Sequence, residues 1–396
     1  MIALEPFDEM FLALDGGVTV GHMGALTVFD ASAGSETFTA ASLIELLEAR
    51  LERMPLLRRR PEPDPSRPGR HFWVDEEVVA LERHVEANHL DGADDRALGR
   101  GAARLHAVPL DRSRPVWEMH VLDGLEGGRV ATLLKIHHAL GDAAPARHVL
   151  ETLFADDSEQ RPVRRPAAAP PPPASSADAD PGVPLRAPAT RFNRPLGSER
   201  DFAFGRIGVE RVERVRAASG AMFNDVLVAA WAGALRGWLA LRGEAPKVPL
   251  LARIPISLRD RAEEDAQAAG NRLAVVPVPI PADEGDGAER LRRTTEAMAV
   301  AKRAPKEAGA RGPGVNLSLS TPPASGVPLA WAGAPRIGTF VLAPLGGTGL
   351  SVVSGRYPSQ VTLGVHVDAE QVPDPWSLLS AFDAALADLE TILAVA

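Results

Sequence analysis

The chain has 396 residues, 45% of them hydrophobic, and single cores rarely grow past about 250 to 300 residues, so two domains are expected. Its 43 Lys+Arg against 52 Asp+Glu leave a formal charge of -9, which disfavours long-range attraction to nucleic acid or to an anionic membrane. With no cysteine in the chain, disulfides, thiolate metal ligands and a cysteine-based acyl-enzyme are excluded.

The amino-terminal stretch MIALEPFDEMFLALDGG carries Glu5, Asp8, Glu9 and Asp15 and no basic region followed by an apolar one, so no secretory signal is expected. No later run offers about 18 uncharged apolar residues, so no membrane span is expected either. HMGALTVFD (22–30) reads as a strand. AASLIELLEARLERMP (40–55) sets Leu43, Leu46, Leu47 and Leu51 at helical spacing before Pro55. VWEMHVLDG and GRVATLLKI follow as a hairpin across DGLEGG.

That second strand runs into KIHHALGDAAP (135–145). The run is apolar on both parities through Ile136, the pattern of a strand buried on both faces, and it delivers His137 and His138 to its end. Successive strand side chains point to opposite faces, so one histidine is expected to be positional and the other functional. Asp142 stands before AAPARHVLETLF, where Val149, Leu150, Leu153 and Phe154 recur at helical spacing and Pro145 lies in the first turn, so it is a natural N-cap. A histidine at a strand end suits general-base work, since its unperturbed pKa of about 6.5 lets it accept a proton near neutrality. Metal binding is the competing chemistry, but the other histidines are scattered and no HExxH occurs, so no metal is expected.

Residues 161–189, with four consecutive prolines among alanines and serines, show no apolar periodicity and read as a linker. It divides the chain into an amino lobe (1–160), the linker (161–189) and a carboxyl lobe (190–396). Beyond it, NDVLVAAWAGALRGWLALRG (224–243) predicts a helix capped by Asn224 and stopped by Gly243. Strands are expected at VPLLARIPIS, LAVVPVPI, TGLSVVSGRY and QVTLGVHVD, and a closing helix at 377–394. The mixture, without strict alternation, predicts an α/β protein of two similar lobes with mixed sheets flanked by helices.

The motif and its surroundings resemble the bacterial wax ester synthase/diacylglycerol acyltransferases, within the CoA-dependent acyltransferase superfamily of chloramphenicol acetyltransferases and peptide-synthetase condensation domains. The superfamily signature HHxxxDG stands here as His137, His138, Ala139, Leu140, Gly141, Asp142 and Ala143. The likeness extends through PFDEMFLALDGG, PLLRRRP (55–61), PLDRSRPVWEMHVLDGLEGGRVATLLKIHHAL (109–140), FNRPLG, SGAMFNDVLVAAWAGALRGWL (219–239), RIPISLR (253–259), GNRLAVVPVPIP (270–281) and VPDPWSLLSAF.

The resemblance implies a chloramphenicol acetyltransferase-like two-lobed fold with the active site in a tunnel between lobes. His138 would be the general base, His137 its packed neighbour and Asp142 a structural residue held by an arginine, for which Arg253 and Arg259 are candidates. Asn224 and Asp225 match the family's ND pair facing the tunnel, with helix capping as the plainer account. Trp117 and Glu118 match its PLW(E) element, where packing is the plainer account for Trp117. Gly141, Ala143, Gly270 and Asn271 would border the tunnel, a turn being the simpler account of the last two. Arg58 to Arg60 would either meet CoA phosphates or form a solvated charge run.

The resemblance further implies no permanently bound cofactor, acyl-CoA as co-substrate, and a hydroxylated lipid or metabolite as acceptor. Other implied accounts are esterification from a carrier protein, or a non-catalytic acyl-CoA or lipid binder. Localisation is expected to be cytoplasmic, with peripheral contact to lipid surfaces allowed. Two departures stand out: Ala143 replaces the motif glycine, and a helical stretch before NLSLSTPPASG is missing, which would open the acceptor side and weaken association with lipid surfaces.

Overall fold

The computed structural model describes residues 2–32, 38–156, 186–258, 270–303, 314–322 and 325–394. The amino half runs β1 (Ile2–Ala3), α1 (Pro6–Leu14), β2 (His22–Asp30), α2 (Ala40–Arg50), β3 (Arg59–Pro63), β4 (His71–Asp75), β5 (Val85–His89), α3 (Asp95–His106), β6 (Trp117–Asp123), β7 (Arg129–His137) and α4 (Ala143–Phe154). The carboxyl half runs β8 (Arg200–Gly208), α5 (Val209–Ser219), α6 (Phe223–Ala240), β9 (Leu250–Ser257), β10 (Leu273–Ile280), α7 (Gly287–Arg303), β11 (Leu317–Ser320), β12 (Ala330–Trp331), β13 (Ala334–Leu342), β14 (Leu350–Arg356), β15 (Gln360–Asp368) and α8 (Trp376–Ile392).

Two six-stranded mixed sheets organise these elements, in the orders β12-β13-β2-β7-β6-β5 and β10-β9-β11-β14-β15-β8, beside a small sheet β1-β4-β3. The expected hairpin is β6 antiparallel to β7. The amino sheet is covered on both faces, which is why β7 carries apolar residues at both parities. Helices α1, α2 and α4 supply Phe11, Leu47 and Leu153 to one face. On the other, α3 and the carboxyl lobe's Phe202 and Phe204 meet Leu26, Leu133 and Phe340. The carboxyl sheet packs under α6, whose Val226, Ala230, Leu235 and Leu239 lie in the largest core.

Strands β12 and β13, assigned with 190–396 to the carboxyl lobe, cross back and extend the amino sheet at β2, with Leu26 opposite Phe340 and Thr27 opposite Thr339. The physical reason is the edge of β2, whose backbone groups need a partner that no local strand supplies. Residues 161–185 of the expected linker (161–189) lie outside the described residues. The helix expected to be capped by Asn224 begins two residues earlier: Met222 is its N-cap, with no side-chain cap. Helix α2 ends at Arg50 and continues as two 3-10 turns. No single described helix is long and apolar enough to cross a membrane; α5 and α6 qualify only as a pair bent by 103°.

The third core joins the lobes through aromatic contacts between Phe202, Phe204 and Phe340. Phe202→Ala removes a fully buried ring from it and is expected to cost about 3 to 5 kcal/mol in denaturant unfolding. A loss below about 1 kcal/mol would contradict a shared core between lobes.

Candidate active site

Strand β7 ends at His137, and residues His138–Leu140 turn in a single 3-10 turn before Asp142 starts α4. The change from strand to turn sends the two imidazoles in different directions. His137 stays in register with His22 across β2 and is fully buried. Its Nδ1 accepts from the Ala139 backbone N–H at 3.1 Å, so the proton sits on Nε2, which donates to Asp15 Oδ2 at 3.1 Å. Burial pushes His137 below its ordinary pKa despite Asp15, and the ring is a neutral structural donor.

Asp15 is fixed from several sides. The Gly21 N–H and Arg112 Nε reach it at 2.5 and 3.1 Å. Burial would raise its pKa, but the hydrogen bond from His137, with Gly21 and Arg112, outweighs it and holds the carboxyl well below the usual range. Arg112 also donates to the Leu12 carbonyl, tying the end of α1 to the histidine strand.

His138 packs face to face on Phe11 of α1, with ring centroids 3.9 Å apart and planes within 7°. Its Nδ1 is enclosed without a hydrogen-bond partner while the residue keeps partial exposure, so Nε2 is the nitrogen available to a substrate. Burial pushes its pKa down to about 4, against the opposing influence of Asp142 and Asn271. At neutral pH the ring is uncharged and able to accept a proton.

The carboxyl lobe completes the site through the loop before β10. Asn271 Nδ2 donates to the His138 carbonyl and to Asp8 Oδ1, both at 2.7 Å. Gly270 N–H bonds the Leu140 carbonyl at 3.0 Å, and Gly270 pairs with Gly141 in a parallel bridge. Gly141 has φ of 150°, and a Cβ there would lie 2.8 Å from Pro145 and 3.1 Å from the Gly270 carbonyl. Glycine is required by both the dihedral and the approach of the other lobe.

Asp142 caps α4 through the Ala144 N–H at 3.1 Å, and the Arg272 backbone N–H approaches its other oxygen at 3.4 Å. The suggested partner Arg253 instead donates to the Gly346 carbonyl, and Arg259 lies outside the described residues. Ala143 occupies the first position of α4 and is not among the residues with positive φ. The motif glycine's replacement therefore carries no backbone strain.

The remaining candidate residues are placed as follows. Trp117 is fully buried, bonding the Leu57 carbonyl at 2.7 Å and stacking on His84; its size and the parity of β6 send it into the core. Glu118 pairs with buried Lys135 on the adjacent strand at 2.9 Å. Asp225 is 1% exposed and faces Lys302 at 3.5 Å, because the helix register turns it inward. Asn224 does line a cleft of about 200 Å³, with Lys302, Thr321 and the walls of α6 and β9. Arg59 and Arg60 pair with Asp75 and Glu76, and Arg58 bonds the Glu77 carbonyl, so local partners hold all three.

Phe11, Asp8 and Asp15 were not singled out in advance. Their only signal was the helical spacing of Phe7 and Phe11 with an aspartate before two glycines. A further group, His22, His106 and His366, is buried across the lobe boundary, the rings meeting edge to face at 4.6 and 4.9 Å. Nitrogens of all three lack partners, and among the described residues no His, Asp and Glu group is arranged to hold a metal ion.

The two lobes, the carboxyl-lobe loop over the paired histidines and the crossover strand define a class, the two-lobed acyltransferase and condensation-domain fold. Among solved structures, the wax ester synthase/diacylglycerol acyltransferase from Marinobacter aquaeolei VT8 superposes with a TM-score of 0.77 at 24% identity, covering 100% of both chains. The starter condensation domain of rhizomide synthetase, solved with C8-CoA, gives 0.61 at 13%, covering 99% of this chain and 94% of the other. The wax ester synthase/diacylglycerol acyltransferase catalytic-domain model matches residues 4–182, and the family's C-terminal-domain model matches 308–390. Full-length relatives agree: a putative diacylglycerol O-acyltransferase of Mycobacterium bovis is 27% identical over 456 aligned positions, covering 100% of both. A second from the same organism is 28% identical, covering 92% of this chain and 86% of the relative. The chain belongs to the wax ester synthase/diacylglycerol acyltransferase family.

Burial holds His22 at about 3 and His366 at about 4, and depresses His106, His137 and His138 as well. Below about 6.5 the unfolded chain binds protons that the folded histidines refuse, so stability is full above that pH and falls as the medium acidifies towards 4. The denaturation midpoint should drop steadily from pH 7 to 5, and His366→Gln should flatten the slope.

Proposed function

We propose that the protein transfers a fatty acyl group from acyl-CoA to the hydroxyl of a long-chain alcohol or diacylglycerol, with His138 as general base. The observation that carries this is the His138 ring itself, neutral through burial, stacked on Phe11 and placed where both lobes meet. Membership of the family supplies the reaction class.

His138 Nε2 takes the proton of the acceptor hydroxyl as its oxygen attacks the thioester carbonyl. The tetrahedral oxyanion then collapses, the carbon–sulfur bond breaks, and the imidazolium returns its proton to the departing thiolate. His137 and Asp142 act through position: the first ties the turn to Asp15, the second starts α4 behind it. Asn271 holds the His138 carbonyl, so the base keeps its place only while the lobes are docked.

His138→Ala should lower ester formation by about 10² to 10⁴-fold with free CoA release falling in parallel; equal rates in the two proteins would exclude the assignment. Because the base must be unprotonated and its pKa lies near 4, kcat/KM should hold below 6.5 and fall only as pH approaches 4. Brief assays, within the lifetime of the folded enzyme, separate this limb from acid unfolding.

A further inference from the structure

A second cavity, of about 60 Å³, lies in the seam between the lobes, against α4 on one side and β13 to β15 on the other. Met23 and Ala143 border it; Met23 is paired with Ile136, beside the histidine turn, and Ala143 opens the helix that follows that turn. Much of the wall is apolar, as with Leu150, Leu329 and Val353. Arg336 stands among these groups.

The Arg336 Nη1 is enclosed and meets no hydrogen-bond acceptor. The guanidinium lies over the Tyr357 ring at 4.3 Å, and Glu151, an acid whose charge acts on it, makes no ion pair with it among the described residues. A desolvated cation without a counter-ion is unfavourable, and proteins compensate it. This chain does so elsewhere: Arg290 reaches Asp388 and the Ala229 carbonyl, and Arg200 stands beside Asp368. At the cavity no such partner stands beside Arg336 among the described residues.

Charge and size together select the ligand group. An enclosed guanidinium edge favours an anionic oxygen, and a carboxylate is the group whose geometry it matches. Tyr357 is 7% exposed, and burial pushes its phenol up, so it remains a protonated donor. The hydroxyls of Thr339 and Thr362 also line the space. A volume of about 60 Å³ has room for several waters and therefore for a carboxylate.

We propose that Arg336 and Tyr357 form a subsite for a substrate carboxylate, so that one of the two substrates of the transfer carries a terminal carboxylate on an apolar chain. The inference rests on the acyl-transfer reading for its reaction and on the cavity for its ligand. The carboxylate is a spectator: the bonds made and broken remain those of hydroxyl and thioester. It belongs either to a hydroxy-acid acceptor or to an ω-carboxyacyl donor.

The test compares kcat/KM in matched pairs with the full-length enzyme. Octanoyl-CoA is given ω-hydroxydodecanoate or its methyl ester, and dodecanol is given dodecanedioyl-CoA or dodecanoyl-CoA. The expected result is a preference of about tenfold or more for the carboxylate in one pair, which also identifies its source. That ratio should collapse towards one in Arg336→Met, persist in part in Arg336→Lys, and shrink in Tyr357→Phe. Ratios near or below one in both pairs for the wild type, or a ratio unchanged in Arg336→Met, would overturn the subsite. Calorimetric binding of ω-hydroxydodecanoate and of dodecanedioyl-CoA to His138→Ala, with and without Arg336→Met, separates the two claims. Arg336-dependent binding without turnover of any pair would sink the transfer and leave the subsite, whereas turnover without a ratio would do the reverse.

Discussion

The structure turns on one docking contact, the loop of Gly270 and Asn271 seated on the turn that carries His138. A single amide, Asn271 Nδ2, is shared between the His138 carbonyl and Asp8, and the Gly270 N–H closes on Leu140. These bonds join three distant segments at one place: the first helix, the paired-histidine turn and the entry to β10. Their geometry depends on the absence of a side chain at Gly141, where backbone from both lobes meets. The position of the His138 turn and the docking of the lobes are therefore the same constraint.

The crossover strand extends that constraint through the molecule. Because β13 leaves the carboxyl half to complete the amino sheet, the lobes cannot separate without breaking a strand ladder and the aromatic contacts among Phe202, Phe204 and Phe340. The same strand carries Arg336 into the seam. A rigid interlobe seam gives a fixed surface on which a substrate can be positioned, in keeping with the weight that orientation carries in acyl transfer.

The buried histidines show how a polar interior is kept dry of charge. His137 is satisfied at both nitrogens by Ala139 and Asp15, and the chain places a carboxylate and an arginine beside it. His22, His106 and His366 are neutral by burial and retain unpartnered nitrogens. A neutral imidazole tolerates such a site far better than an ion would, which is why the cluster survives at neutral pH and weakens in acid.

Much of the architecture was legible in the chain because its causes are local. Apolar residues on both parities before His137 announced a strand covered on both faces, Asp142 with Pro145 announced a helix start, and the breaks after β6 and α6 followed from glycine. The motif likewise drew attention to His138, the base proposed here, and to Asp142, which caps α4. What tertiary structure decided was every pairing between distant segments. Nothing in the periodicity of 334–342 says that its ladder partner is β2, and nothing around Phe11 or Asp15 says that one stacks on His138 while the other holds His137. Trp117 packs in the core, the plainer of its two sequence accounts, because strand parity and ring size dictated it. Local sequence sets dihedrals, faces and caps; which faces meet is chosen by the burial of the whole chain, and that sum is available only once the lobes have closed on each other.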